Sequence, residues 1–124
     1  MTTASCKAKG RRLQQEVSAA LLEVGEQHGL VKDDIKSTSM GVSGVDVLLS
    51  PAAKKVLGCL AIECKNVEAL GVVTTFNKHA EKYPKHTALL VHKKNRSQTL
   101  VTMKFDDFLR LLKDSVLLSK RMGL

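Results

Sequence analysis

The chain has 124 residues and a mass of 13.5 kDa, with 44% hydrophobic residues and a formal charge of +8. That length supplies one domain with one core, needs no disulfide or metal staples, and excludes two large lobes. No apolar run reaches the roughly 18 residues that span a bilayer, and with no Trp and only Tyr83, Phe76, Phe105 and Phe108 as aromatics, nucleic-acid binding on stacked rings is a poor fit.

Residues 1–10 are small, polar and basic without an apolar period, which predicts a loose, flexible basic arm ahead of a single domain over 11–124. Leu13, Val17, Ala20, Leu21 and Val24 then recur at helical spacing, so Arg11 to His28 reads as an amphipathic helix closed by Gly29. Residues 32–44 read as a loop rich in Ser, Thr, Gly and Asp. Val45 to Leu49 is a short strand stopped by Ser50-Pro51, and Val56 to Lys65 is a second; with only a brief connection between them, the two suggest a hairpin. Leu70 to Tyr83 reads as a helix ending before Pro84. Thr87 to Val91 and Thr99 to Met103 are further strands around the basic turn Lys93-Lys94-Asn95-Arg96, and Phe105, Phe108, Leu109, Leu112 and Val116 mark a last helix. The order α-β-β-α-β-β-α implies an α/β fold with a small mixed central β-sheet flanked by helices.

The basic excess is uneven. Residues 63–124 hold twelve basic and six acidic side chains, against eight and six in residues 1–62. A polyanion such as nucleic acid and a merely solvated basic face both account for this. Cys6, Cys59 and Cys64 are odd in number and form no CxxC pair, and no secretory leader accompanies them; a reducing, cytoplasmic setting with free thiols is expected. His28, His79, His86 and His92 lack zinc-site spacing and read as surface or helix-end residues.

Polar residues interrupt the two central strands. Because successive strand residues face opposite sides, Glu63 and Lys65 share one face while Leu60, Ile62 and Cys64 share the other. If the strands pair, Asp46 projects beside Glu63, and two neighbouring carboxylates repel unless a cation neutralises them. Mg²⁺ suits such a site, since it takes one or two protein carboxylates and keeps waters and phosphate oxygens for the rest. Lys65 would then orient a water or stabilise the charge of a phosphodiester under attack. An Asp at a strand start and a solvated Glu-Lys pair would look the same. Glu16 borders the apolar stripe of the first helix about 60° from Leu13, where it could edge a cleft or be an ordinary surface residue. Arg11, Arg12, Lys36, Lys94 and Arg96 are candidate phosphate contacts. Ser39 and Ser43 lie in a Gly-containing loop where hydroxyls could meet a phosphate, and turn chemistry explains them equally.

The stretches Lys9-Gly10-Arg11-Arg12-Leu13-Gln14-Gln15-Glu16, Ser37-Thr38-Ser39-Met40-Gly41, Gly44-Val45-Asp46, Leu49-Ser50-Pro51-Ala52-Ala53 and Ile62-Glu63-Cys64-Lys65-Asn66 resemble the PD-(D/E)xK nuclease superfamily. They look like a phage group of endonucleases similar to archaeal Holliday-junction resolvases, over roughly residues 7–112. The resemblance implies a restriction-endonuclease-like fold and DNA cleavage with Mg²⁺, for which Mn²⁺ could substitute. It implies Asp46, Glu63 and the Cys64 carbonyl as metal ligands, Lys65 as the catalytic lysine, and Glu16 as the helix-borne acid, a place Gln14 could also fill. Val45 stands where the family has a proline, Val73 where relatives have Trp, and Lys78 where they have Gln; Lys78 could still reach a phosphate.

Two functions follow as expectations. One is a Mg²⁺-dependent endonuclease selective for branched or junction DNA, acting as a homodimer because paired cuts need two active sites, without a membrane. The other is a non-catalytic nucleic-acid-binding or recombination-accessory protein that keeps the fold and its basic face.

Overall fold

The computed structural model describes residues 3–38, 44–121 and 123. Helix α1 spans Thr3–Glu26, a short 3-10 turn spans Lys32–Asp34, and strands β1 and β2 span Ile35–Ser37 and Val47–Leu49. Then come α2 (Pro51–Leu57), β3 (Leu60–Asn66), α3 (Val72–Lys82), β4 (Thr87–Lys93), β5 (Leu100–Thr102) and α4 (Phe105–Arg121). The fold is mixed α/β, as the sequence pattern implies.

β3 and β4 run parallel, from Leu60 opposite Thr87 to Asn66 opposite Lys93, and β5 adds antiparallel to β4 with Leu90 opposite Thr102. β1 and β2 form a separate antiparallel pair, Ile35 opposite Leu49. Helices cover both faces of the parallel pair. On one face Leu13 of α1 packs with Ile62, Cys64 and Val91, joined by Ile35, Val47 and Ala53; on the other, Phe76 of α3 packs with Ala88 and Leu90. Strands buried on both sides read as nearly continuous apolar runs, so a charged residue inside one stands out.

Several expectations change, and the order α-β-β-α-β-α-β-β-α has one helix and one strand more than the sequence pattern implies. Residues 3–10 are the first turns of α1 rather than an arm: Ala4, Lys7, Ala8 and Lys9 are strong helix formers, enough to carry Gly10 in a helix interior. β1 lies where a loop is expected. The expected hairpin is absent, because β2 pairs with β1 and is followed by a helix. Ser50-Pro51 is a helix start rather than a strand stop: the Ser50 hydroxyl accepts from Ala53 N–H at 3.0 Å and Pro51 occupies the first turn, where its missing N–H is not needed. Gly58, at φ +94°, ends that helix and returns the chain to β3. Val56 and Leu57 therefore belong to α2.

Among the described residues, no helix is long and apolar enough to cross a membrane.

Candidate active site

β3 carries Glu63 and Lys65 on its α3 face, and β2 is preceded by Asp46. Asp46 stitches β2 to β3 without a regular ladder: its N–H donates to the Ile62 carbonyl at 2.9 Å, and its Oδ2 accepts from the Cys64 N–H at 2.7 Å. Its own carbonyl accepts from the Thr38 N–H at 2.9 Å. Among the described residues no hydrogen bond reaches Oδ1. A strand residue's N–H and C=O leave the same edge of the strand, so the Cys64 carbonyl opens on the Asp46 side. The hairpin expectation fails; Asp46 instead meets β3 through the backbone of Ile62 and Cys64, the residues on either side of Glu63, and the Glu63 charge is one of the causes that raise its pKa.

Glu63 is gripped at both oxygens. Oε1 lies 3.6 Å from Lys65 Nζ and Oε2 lies 3.2 Å from His79 Nδ1. His79, with only 2% of its side chain exposed, faces the Ala61 carbonyl through Nε2 at 2.7 Å. A carbonyl only accepts, so Nε2 carries a proton, and the carboxylate at Nδ1 favours a second one. Burial opposes charge on His79, but the hydrogen bonds to Glu63 and Ala61 and the charges of Glu63 and Asp46 leave its pKa raised. The His79 hydrogen bond, against desolvation and with help from Lys65 and Lys82, holds the Glu63 carboxyl below its usual range. Asp46 goes the other way: desolvation and the Glu63 charge outweigh the Cys64 N–H and the nearby cations.

Sequence reading missed His79. The signal was there: Val72, Phe76, His79 and Ala80 fall at i, i+4, i+7 and i+8, the apolar stripe of α3, so a residue read as a helix-end histidine is buried. Cys64 points its thiol into the α1 core, and burial with the charges of Asp46 and Glu63 pushes that thiol to about 12. Sulfur is thus a poor nucleophile or ligand here, leaving only the backbone oxygen of Cys64 for a cation.

Glu16 is exposed and sits on the α1 side of the sheet, in a cleft with Arg12, Asn66 and Arg96. Among the described residues no hydrogen bond or ion pair joins it to Asp46, Glu63 or Lys65. Gln14 is buried. Arg12 and Arg96 therefore come together, while Lys94 lines a neighbouring groove with Val67 and His92. Lys36, paired with Asp33 at 3.6 Å, lines a different groove beside Gln15 and Ala19. Arg11 and Lys78 are exposed on α1 and α3. Ser39 and Ser43 lie outside the described residues.

As a cation site, the arrangement offers two carboxylates and one carbonyl. Among the described residues no group of three or more His, Cys, Asp or Glu side chains could hold a metal ion. Among the described residues the Asp46 Oδ1 makes no hydrogen bond and is open to a further donor or cation. Comparison of the chain with protein-family models, with curated proteins and with solved structures finds no match.

Proposed function

We propose that the chain is a metal-dependent endodeoxyribonuclease that hydrolyses phosphodiester bonds in branched DNA. The observation that carries this reading is the convergence of Asp46, Glu63 and Lys65 at the junction of β2 and β3, in the order and spacing of the PD-(D/E)xK pattern. Asp46, Glu63 and the Cys64 carbonyl would hold Mg²⁺ or Mn²⁺; when bound, the ion neutralises phosphate charge and makes a coordinated water more acidic. The chain's own residues do the rest. Lys65, whose side chain is 42% exposed, can leave Glu63 to reach a phosphate oxygen or an attacking water. His79 fixes the Glu63 carboxylate from behind, as partners behind metal ligands do.

Branched DNA is favoured because, among the described residues, the basic surface comes without an element shaped to read base edges, so phosphates and shape would carry recognition. Paired cuts need two sites, and α4 supplies a surface for pairing. Phe105, Phe108, Leu109, Leu112 and Val116 recur at helical spacing, yet all are exposed, as are Leu100 and Val101 of β5. A 17-residue helix with a bare apolar stripe is marginal alone, and a second copy seated against α4 would cover that stripe.

A second reading, an accessory protein that binds DNA without cutting, is favoured by one feature: Lys65 and His79 already engage both oxygens of Glu63. Labelled junction, flap, duplex and single-stranded DNA, incubated with Mg²⁺ or Mn²⁺ and run beside Asp46→Ala and Lys65→Ala, separate the two. The nuclease cuts one or more branched substrates, and both variants lose cutting by about 100-fold or more while still binding. Binding by the wild type without cutting of any substrate selects the accessory protein.

A further inference from the structure

A second cleft, of about 320 Å³, opens where the parallel strands end, the side of an α/β sheet on which ligands usually bind. Its floor is Asn66 and Lys93, paired as the last residues of β3 and β4. One wall is α1, where Lys9, Arg12 and Glu16, spaced three and four apart, share a helix face. The other is the turn after β4, where Arg96 is held at φ +59°, a left-handed conformation that a side chain of its kind rarely adopts. Four cations thus surround a single carboxylate. The Asn66 Oδ1 is buried and, among the described residues, makes no hydrogen bond; a buried acceptor of this kind calls for a donor.

A plain anion sink explains the cations but neither Glu16 nor the unbonded Asn66 oxygen, since both are acceptors and repel phosphate. A ligand carrying an anion and a hydrogen-bond donor a few ångströms apart satisfies all of them. We propose that this cleft seats one nucleotide of a bound strand, its phosphate held by Lys9, Arg12, Lys93 and Arg96, with Glu16 and Asn66 accepting from a base amino group. Asn66 lies three residues beyond Glu63, about 10 Å along the strand and on its other face, so a bound strand would have to cross the end of the sheet to occupy both this cleft and the carboxylates. The inference deepens the nuclease reading but is tested without metal or cleavage.

The test is anisotropy of a short labelled single-stranded oligonucleotide in EDTA at fixed salt. Arg96→Ala weakens binding about tenfold, against about twofold for Lys55→Ala, an exposed lysine on α2 outside the cleft. Glu16→Gln decides the matter: with Glu16 as an acceptor, removing its charge weakens binding about threefold or more, whereas on a merely basic surface it strengthens binding. Asn66→Ala, which changes no charge, weakens it about fivefold. A deoxynucleoside monophosphate competes better than inorganic phosphate. Glu16→Gln and Asn66→Ala binding as well as wild type or tighter, or phosphate competing as well as the mononucleotide, overturns the proposal. A chain that cuts no DNA yet shows these losses keeps the cleft and loses the nuclease reading.

Discussion

At the scale of single residues, the unusual feature is a buried histidine and a strand carboxylate holding each other charged. Leaving Glu63 without His79 strips a hydrogen bond from the carboxylate and another from the Ala61 carbonyl; His79→Ala therefore lowers unfolding free energy by about 2–3 kcal/mol, read by urea denaturation. Its pH dependence has a definite sign. His79 is raised from 6.5 in the folded chain, so its contribution is complete below 6.5 and fades as pH climbs through the folded value. Glu63 is lowered from 4.5, so its contribution is complete above 4.5 and fades as pH falls through the folded value. The stability gap between wild type and His79→Ala is widest between about 4.5 and 6.5 and narrows on both sides; a gap flat with pH rules out the ion pair. Asp46, Glu63 and Lys65 were legible in the sequence because charges inside apolar strand runs are conspicuous. His79 was not, since histidine belongs as readily on a surface as in a core.

At the scale of elements, the neighbourhood of Asp46 depends on α2 and β1, the two pieces the sequence hid. β1 is three residues long, too short to show alternation, and Ser50-Pro51 stops a strand as naturally as it starts a helix. Ser50 does more than cap: its hydroxyl accepts from Ala53 N–H and donates to Asp34 Oδ1 at 2.7 Å, tying α2 to the turn that leads into β1. Asp34 also accepts from Val31 N–H at 2.8 Å, and these two hydrogen bonds lower its pKa. Ser50→Ala costs about 1–2 kcal/mol in the denaturation midpoint, and Ser50→Thr restores most of it. Restoration by neither Thr nor Asp would show that the cap contributes nothing. The succession of β3, α3 and β4, by contrast, was legible from its apolar runs and from Pro84; what escaped was their parallel pairing, because spacing along a chain does not say which edge a strand joins.

At the scale of the whole molecule, charge and apolar content were both countable from composition, but only the fold shows that the apolar stripe of α4 faces outward. Pairing through that stripe predicts a dimer by sedimentation at micromolar concentration, and Leu112→Asp, which places a charge in its middle, yields a folded monomer. A wild type that sediments as a monomer at the same concentration would remove α4 as a pairing surface. Everything proposed about chemistry meets at the junction of β2 and β3, where Asp46 and Glu63 come together and, among the described residues, one Asp46 oxygen makes no hydrogen bond. Calorimetric titration of the metal-free protein with Mn²⁺ tests that point most directly: uptake of an ion by the wild type, lost in both Asp46→Asn and Glu63→Gln, is the result predicted. Absence of uptake by the wild type, or uptake undiminished in those two variants, would contradict it.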